Sequence, residues 1–235
     1  MLSLYFDCDE DGLRRCPVCR RIDRPFHRAI AYGSYDDGLR ELIHLLKYNS
    51  VRPAAGVLGR MLGETLIAVA PSLEQSTVLL VPVPLYRRKR RQRGFNQAEL
   101  IAQAAVRACI SSDRFQLASD ILARVRDTHS QIGLTSHQRR ENVRGAFAVT
   151  HPQQVPGREV VLVDDVYTTG TTASECARVL RRAGALRVWV VTVARTLKMA
   201  SKYEEKQGFK VSEFQGFEEQ PDGSEIEHHL ETVKP

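Results

Sequence analysis

Hydrophobic residues along the chain follow two periods, and each period predicts one kind of element. Apolar residues at helical spacing predict helices over residues 36–48, 53–69, 96–110 and 171–183. Short runs rich in Val and Leu predict buried strands over residues 77–82, 121–125, 146–149, 159–163 and 187–193. Between them, the basic stretch 86–93 is predicted to be a loop, and the Arg-rich stretch 127–142 a mobile arm with a short helix.

Strands that alternate with helices are typical of a parallel sheet covered by helices on both faces. The predicted fold class is therefore α/β, with one domain over residues 26–199. Residues 1–25 are polar and contain three of the five cysteines, which predicts a small separate module. Residues 200–235 show no helical or strand pattern and are predicted to be an acidic tail without stable order.

The chain of 235 residues has a formal charge of +6 that is unevenly distributed. Residues 201–235 contain 4 Lys and 9 Asp or Glu, so by difference the first 200 residues carry a net +11. Such a field favours anionic ligands, although charge alone does not distinguish a phosphate metabolite from nucleic acid.

The apolar stretches are too short to predict a membrane span. The longest, residues 77–86, is broken by Pro82 and Pro84, whereas a membrane helix needs roughly 20 apolar residues. Residues 1–12 are acidic and lack the apolar centre of a signal peptide. We therefore expect a cytoplasmic protein without a membrane span.

The segment 160–172, VVLVDDVYTTGTT, has the pattern of a buried strand, two acidic residues, a turn and a helix start. Ligands of open α/β sheets bind beyond the carboxyl ends of the strands, and a helix N-terminus offers unpaired N–H groups to a phosphate. Gly170 permits a positive φ and a close approach of the backbone. The threonine hydroxyls add donors, and the carboxylates of Asp164 and Asp165 suit sugar hydroxyls or a bridging Mg²⁺.

The same residues also fit a purely structural role, in which the Asp pair caps a turn and the threonines satisfy a helix start. A Walker P-loop is excluded, because no Gly-Lys-Ser/Thr follows the glycine. The whole pattern closely resembles the phosphoribosyl pyrophosphate (PRPP) signature of type I phosphoribosyltransferases. The resemblance implies that Asp164 and Asp165 bind the ribose 2′- and 3′-hydroxyls, with Mg²⁺ accompanying PRPP. It also implies a cradle for the 5′-phosphate made by Thr168, Thr169, Gly170, Thr171 and Thr172.

A second candidate anion site lies in the basic stretch, where six of the seven residues from 87 to 93 are Lys or Arg. Arg93 and Gly94 directly precede a predicted helix, and Gly94 can turn backbone N–H groups toward an anion. These two residues are predicted to bind the pyrophosphate group. The alternative is a solvated or nucleic-acid-binding loop, with Tyr86 and Phe95 placed to stack on bases.

Arg139 and Arg140 lie in the predicted mobile arm. An arm of this kind, closing over a pyrophosphate leaving group, excludes water and stabilises negative charge. An ordinary exposed arm is the alternative.

Together these segments resemble the ComF family over residues 8–195. The residues that carry the resemblance are Val81-Pro-Val-Pro, Arg93-Gly-Phe-Asn-Gln, Gln131, Arg139-Arg-Glu-Asn-Val, Gly145-Ala-Phe and the Asp-Asp segment, preceded by Tyr32-Gly33, Leu39-Arg-Glu-Leu-Ile43 and Lys47. The family is linked to DNA uptake in natural competence. The resemblance implies a type I phosphoribosyltransferase fold with a small zinc-ribbon-like N-terminal module. It implies transfer of the phosphoribosyl group from PRPP to an unknown acceptor, with release of pyrophosphate.

The resemblance leaves two other functions open. One is a non-enzymatic sensor of PRPP or a nucleotide on the same fold. The other is a DNA-handling protein that binds single-stranded DNA or competence proteins through the basic stretch. No residue pattern indicates a general base, so catalysis would depend on positioning and electrostatics.

The N-terminal cysteines suggest a structural zinc site. Cys16 and Cys19 form a CxxC pair and Cys8 lies eight residues before Cys16, a set of thiolates that suits Zn²⁺. A closed site needs four ligands, and Tyr5 stands where a CxxC partner of Cys8 would lie. His27 is a candidate fourth ligand, and a vestigial pair without metal is the alternative.

Overall fold

The computed structural model describes residues 5–6, 24–108, 112–128 and 135–196. In this part of the chain the strands are β1 (Tyr5–Phe6), β2 (Arg28–Ser34), β3 (Val78–Pro82), β4 (Phe115–Leu117), β5 (Leu122–Arg124), β6 (Phe147–Val149), β7 (Glu159–Tyr167) and β8 (Arg187–Arg195). The helices are α1 (Asp37–Tyr48), α2 (Ala54–Val69), α3 (Arg87–Arg93), α4 (Gln97–Ala108), α5 (Ser136–Val143) and α6 (Thr171–Arg182).

The main sheet has six strands in the order β1-β2-β8-β7-β3-β4. Strands β2, β8, β7, β3 and β4 are parallel to one another, and β1 pairs antiparallel to β2 at the edge. The predicted parallel sheet is confirmed. Because β7 lies near the centre, between β8 and β3, the groups that follow it lie at the middle of the sheet edge where ligands bind in such folds.

Alternate residues of the central strands enter two separate hydrophobic cores. Val161 and Val163 of β7 belong to the core formed with α1, α2 and α4. Val160 and Leu162 belong to the core on the opposite face, with α6. Since strand side chains alternate in direction, a stretch buried on both faces has a continuous apolar sequence, as residues 160–163 of β7 do.

A small antiparallel pair, β5 with β6, lies beside the main sheet together with α5; we call residues 122–128 and 135–149 the hood. Val143 and Phe147 of the hood pack in the same core as Leu180 of α6. The Glu175 carboxylate on α6 also accepts a hydrogen bond of 2.7 Å from the Gly145 N–H. The hood is thereby held against the helix that follows β7.

The remaining sequence predictions are confirmed for α1, α2, α4 and α6 and for β3, β5, β6 and β8, with shifts of one or two residues at the ends. Three strands, β1, β2 and β4, were not predicted. β4 has only three residues, and β2 has a mixed pattern of burial that gives no clear period. Strands β2 and β4 pair with β8 and β3, which lie far from them in the chain, so their formation depends on tertiary context.

Two predictions were wrong, namely the conformation of the basic stretch and the point at which β7 ends. The basic stretch is a helix, α3, rather than a loop, and it ends at Gly94 in a left-handed conformation with φ of 79°. Its charged side chains lie mostly in solvent, where water screens their mutual repulsion. Strand β7 does not end at Val163 but continues to Tyr167, because Asp164 and Tyr167 still pair with Thr192 and Arg195 of β8.

Helix α2, with the 3-10 turn that follows it, is long and apolar enough by composition alone to count as a weak membrane-span candidate. More than half of this stretch is buried in the described structure. Leu58, Leu62 and Leu66 are fully buried against the sheet and α4, so the helix is accounted for as a core helix.

Gly59 is the point of closest approach between α2 and α4. A methyl group at this position would lie 2.3 Å from the Ala104 Cβ and 2.9 Å from the Ala104 carbonyl carbon. Gly59→Ala is therefore expected to lower the free energy of unfolding by about 1–3 kcal/mol, since the two backbones must separate. Urea denaturation followed by circular dichroism measures this loss.

Gly56, one turn earlier in α2, provides the matched control, because a methyl group there has no neighbour within 4 Å. Gly56→Ala is expected to raise the free energy of unfolding by about 0.5–1 kcal/mol through helix propensity alone. A Gly59→Ala variant as stable as Gly56→Ala would contradict the close helix contact.

Candidate functional site

A cavity of about 340 Å³ lies at the carboxyl end of β7. Strand β7 and the turn after it supply Asp164 and Asp165, which we call the acidic pair, and Thr168, Gly170, Thr171 and Thr172. We call residues 168–172 the threonine loop; its remaining member, Thr169, does not line the cavity. The other walls come from the chain after β3, from the end of α1, from α4 and from the hood; they include Val83, Pro84, Leu85, Lys47, Tyr48, Gln97, Arg124 and Arg139. Strand β8 adds Val190 and Thr192, so five further segments of the chain converge on the end of β7.

Asp165 of the acidic pair forms an ion pair with Lys47, from the last turn of α1. The Lys47 Nζ donates a hydrogen bond of 2.8 Å to the Asp165 Oδ1. The two side chains are only 18% and 6% exposed, so the contact is shielded from solvent. The second carboxylate oxygen, Oδ2, is buried and accepts no hydrogen bond from the described residues. A buried acceptor without a donor is costly, which makes this oxygen a natural partner for a ligand hydroxyl.

Asp164 is half-buried, and its Oδ1 accepts a hydrogen bond of 2.9 Å from the Asp165 N–H. Burial and then the negative charge of Asp165 raise the pKa of Asp164 to about 7, against the opposing effect of Lys47. The carboxyl is therefore held between its two protonation states near neutral pH.

The raised pKa of Asp164 predicts a pH dependence of stability. The folded protein holds this proton more tightly than the unfolded chain, whose carboxyl has a pKa near 3.8. The free energy of unfolding is therefore expected to fall as the pH rises from 3.8 to about 7, because ionisation is disfavoured only in the folded state. Urea denaturation at a series of pH values measures the slope. In Asp164→Asn this part of the decline should be absent, and parallel curves for the two proteins would contradict the assignment.

The threonine loop connects β7 to α6 through Gly170, which has a φ of 72° at the N-cap position. The first bond of the helix runs from the Ser174 N–H to the Gly170 carbonyl, so the N–H groups of residues 171–173 are not used by the helix itself. The Thr169 and Thr171 hydroxyls lie 2.7 Å apart and add polar hydrogens beside those amides. The geometry is that of an anion site at a helix N-terminus, and a cationic side chain lies close by.

That cation is Arg24, which precedes β2. Its Nη1 donates a hydrogen bond of 3.1 Å to the Thr169 carbonyl, and its guanidinium lies 5.7 Å from the centre of the Phe26 ring. Phe26 in turn packs edge-to-face against Tyr167, the last residue of β7. The chain before β2 is thereby tied to the threonine loop.

The residues predicted to bind pyrophosphate do not line the cavity themselves. The Arg93 Nη1 donates a hydrogen bond of 2.5 Å to the Gln97 Oε1, and the Arg93 guanidinium lies 5.8 Å from the centre of the Tyr48 ring. Gln97 and Tyr48 both line the cavity, so Arg93 lies directly behind its wall. Gly94 faces a separate shallow groove together with Arg52 and Phe95.

The two arginines of the predicted arm lie on α5, which begins with a capping box formed by Thr135 and Gln138. Arg139 lines the cavity, whereas Arg140 is exposed and does not. The hood adds Arg124, whose guanidinium lies 5.3 Å from the Phe147 ring centre and whose buried Nε has no hydrogen-bond partner. Burial, with further contributions from the positive charges of Arg124 and Arg93, lowers the pKa of Lys89 on α3. This side of the cavity therefore carries a crowded set of cations.

Sequence reasoning assigned no role in the site to Lys47, Tyr48, Gln97 or Arg24. Lys47 was quoted only as part of a family pattern, and a lysine in the last turn of a helix is also favourable for the helix dipole. A strand-to-helix motif marks its own residues, but nothing local marks the side chains that other segments bring to it.

The acidic pair does not by itself make a resident Mg²⁺ site. Mg²⁺ prefers six oxygen ligands in octahedral geometry. The Asp165 Oδ1 is already bonded to Lys47, and the described residues contain no group of three or more His, Cys, Asp or Glu side chains that could hold a metal ion. The predicted zinc ligands Cys8, Cys16 and Cys19 lie outside the described residues, as does the predicted acidic tail, and both stay predictions.

Comparison with known proteins places these features in a family. The chain matches the phosphoribosyl transferase domain family over residues 102–225. It is 37% identical to the DNA utilization protein YhgH of Escherichia coli K12 over 77% of this chain and 78% of that protein. It is 31% identical to competence protein F of Haemophilus influenzae over 77% of this chain and 79% of that protein. Among solved structures, it matches glutamine PRPP amidotransferase from B. subtilis, complexed with ADP and GMP, with 24% identity and a TM-score of 0.38. That match covers 60% of this chain but only 26% of the solved one.

Proposed function

Because this chain belongs to the ComF family of proteins with a phosphoribosyl transferase domain, we propose that it binds PRPP at the described cavity and transfers the phosphoribosyl group. The observation that carries the proposal is the junction of β7 and α6, where the acidic pair and the threonine loop line one cavity. The 5′-phosphate accepts hydrogen bonds from the N–H groups and hydroxyls of the threonine loop. The ribose 2′- and 3′-hydroxyls donate to the acidic pair, including the unpartnered Asp165 Oδ2.

The reaction displaces pyrophosphate from the anomeric carbon by a nucleophilic acceptor, with loss of the bond between that carbon and the diphosphate oxygen. Positive charge develops on the sugar ring while negative charge develops on the leaving group. In this proposal the acidic pair lies below the ring, and Arg124 and Arg139 meet the departing diphosphate, which arrives as its Mg²⁺ complex. Holding the two ends of PRPP in place orients the reacting groups, and this orientation accounts for most of the rate enhancement.

Two measurements test the proposal. Isothermal titration calorimetry with PRPP and Mg²⁺ measures binding, and a pyrophosphate-release assay over a panel of bases and amines measures transfer. Binding that is lost in Asp165→Asn, together with release in the presence of one acceptor, supports the enzyme. Binding without release from any acceptor would favour a sensor, and absence of binding would remove the proposal.

Arg93 provides a selective prediction within this proposal, because only PRPP carries a diphosphate on the anomeric carbon. Arg93 lies behind the wall formed by Gln97 and Tyr48, close enough to Lys89 for its charge to act on that side chain. Arg93→Ala is expected to weaken PRPP binding roughly two- to tenfold while leaving ribose 5-phosphate binding unchanged, because Arg93 orients Gln97 at the cavity wall and one such hydrogen bond contributes about 0.5–1.5 kcal/mol. Calorimetry with both sugar phosphates makes the comparison. Equal losses for the two ligands would assign Arg93 a structural role only.

A second candidate function is the handling of single-stranded DNA, which the basic helix α3 favours. Its residues 87–92 are exposed, and five of the six are Lys or Arg. Two relatives bear names that refer to DNA utilization and competence. Arg87→Ala with Arg91→Ala should lower the affinity for a labelled oligonucleotide and flatten its salt dependence, because fewer counterions are released. PRPP binding should not change in this variant.

The location and the zinc module belong to the same proposal. We expect a cytoplasmic protein, consistent with a PRPP-dependent reaction, and one Zn²⁺ held by Cys8, Cys16, Cys19 and a fourth ligand.

A further inference from the structure

The most informative contact outside the sequence motifs is the one between Lys47 and Asp165. These residues are 118 positions apart in the chain, yet the Lys47 Nζ lies 2.8 Å from the Asp165 Oδ1 at the wall of the cavity. With side-chain exposures of 18% and 6%, water can solvate the carboxylate only weakly, so the negative charge needs a cationic partner. Lys47 supplies it instead.

The position of the contact on the carboxylate leaves a ligand-binding edge open. Lys47 uses Oδ1, whereas Oδ2 is buried, has no hydrogen-bond partner in the part of the chain that the structure describes, and belongs to a cavity-lining residue. A sugar hydroxyl can donate to Oδ2 while the ammonium stays on Oδ1, since an ionised carboxylate accepts several hydrogen bonds. Sugar binding therefore does not require Lys47 to leave.

A divalent cation would compete with the Lys47 ammonium for the negative charge of the acidic pair. Two adjacent carboxylates without a counter-ion would attract a metal ion, because hard cations prefer carboxylate oxygen. With an ammonium already 2.8 Å from Oδ1, a metal ion at the acidic pair would meet like-charge repulsion in a shielded setting.

We propose that Lys47 is the resident counter-cation of the acidic pair, so that a ribose phosphate binds there without a divalent metal ion on these carboxylates. The inference rests on the proposed function, since it assumes that the cavity takes a ribose phosphate. Any Mg²⁺ is then carried by the diphosphate of PRPP and not by the acidic pair. Lys47 acts through Asp165 and is a positioning residue.

Electron paramagnetic resonance of Mn²⁺ added to the ligand-free protein tests the charge directly. Mn²⁺ binding that disappears on Asp165→Asn is counted as binding to the acidic pair. Wild-type protein should show none of this binding, whereas Lys47→Met should gain it, with at least about a tenfold rise in affinity. Lys47→Arg keeps the positive charge and should exclude Mn²⁺ as the wild type does. Equal Mn²⁺ binding to the acidic pair in wild type and Lys47→Met would overturn the proposal.

Calorimetry with ribose 5-phosphate gives the second readout, in Mg²⁺ and in EDTA. Wild-type affinity should be the same in both, because the metal has no place at the pair. A fall of about tenfold or more in EDTA would overturn the proposal. These wild-type measurements decide the matter even if Lys47→Met does not fold. If ribose 5-phosphate and PRPP both fail to bind, the proposed function fails, while the Mn²⁺ result still judges the role of Lys47 separately.

Discussion

Replacing Gly170 with alanine is expected to weaken the binding of ribose 5-phosphate by about a hundredfold or more. A methyl group at this position would lie 2.2 Å from the Tyr167 hydroxyl oxygen, 2.6 Å from the ring carbon that carries it and 2.5 Å from the Arg24 Nη1. Arginine can move away, but the Tyr167 ring is packed against Phe26 and cannot. The positive φ of 72° adds about 1–2 kcal/mol of backbone strain for any residue with a Cβ.

The loop must therefore shift, and its N–H groups then no longer converge on one phosphate. Loss of about two charge-assisted hydrogen bonds corresponds to roughly 3 kcal/mol, or about two decades in affinity. Calorimetry with ribose 5-phosphate measures the change. Wild-type affinity in Gly170→Ala would remove the threonine loop from the phosphate site.

Gly157 is a matched control for the backbone strain. Its φ of 71° is nearly the same, but a methyl group there meets nothing within 4 Å, and the residue does not line the cavity. Gly157→Ala should lose about 1–2 kcal/mol of stability through the same strain and bind ribose 5-phosphate normally. A similar binding defect in both variants would indicate global loosening instead of a local effect on the loop.

Removing Lys47 is expected to give the largest loss of stability. Lys47→Met keeps most of the side-chain volume but leaves Asp165, with a side-chain exposure of 6%, without its counter-charge. Breaking a buried pair from one side costs about 3–5 kcal/mol, and the 18% exposure of Lys47 places the expected loss near 3 kcal/mol. Urea denaturation at pH 8 measures it, and Lys47→Arg, which retains the charge, should recover most of the stability.

The loss of stability caused by Lys47→Met should depend on pH in a defined direction. Lys47 is one of the groups that lower the pKa of Asp164, so its removal raises that pKa further above 7. Protonation at lower pH removes negative charge from the pair, and the destabilisation by Lys47→Met should therefore shrink from pH 8 toward pH 5. Lys47→Met combined with Asp165→Asn should be more stable than Lys47→Met alone. A loss that does not change with pH, or is not relieved in the double variant, would show that Lys47 contributes only packing.

The sequence by itself determined the elements whose information is local. The junction of β7 and α6 is contiguous, so its apolar run, acidic pair, glycine and threonines identify a strand end, a turn with positive φ and a helix start without reference to the rest of the chain. Burial on both faces gives β7 and β8 an apolar run each, over residues 160–163 and 188–191, which is why the parallel sheet was predictable. The alternation of such apolar strands with amphipathic helices is also visible in the sequence, and it identified the fold class.

Only the tertiary structure decided which side chains from other segments meet this junction. Lys47 reaches Asp165 because α1 packs on the sheet through Ile43 and Leu46, and the last turn of that helix then ends at the strand edge. Arg24 reaches the Thr169 carbonyl because β2 pairs with β8. The basic stretch was read as a loop because its charges have no period, yet as helix α3 it places Arg93 behind the Gln97 wall. Such contacts depend on long-range packing, and a pattern of neighbours in sequence carries no record of them.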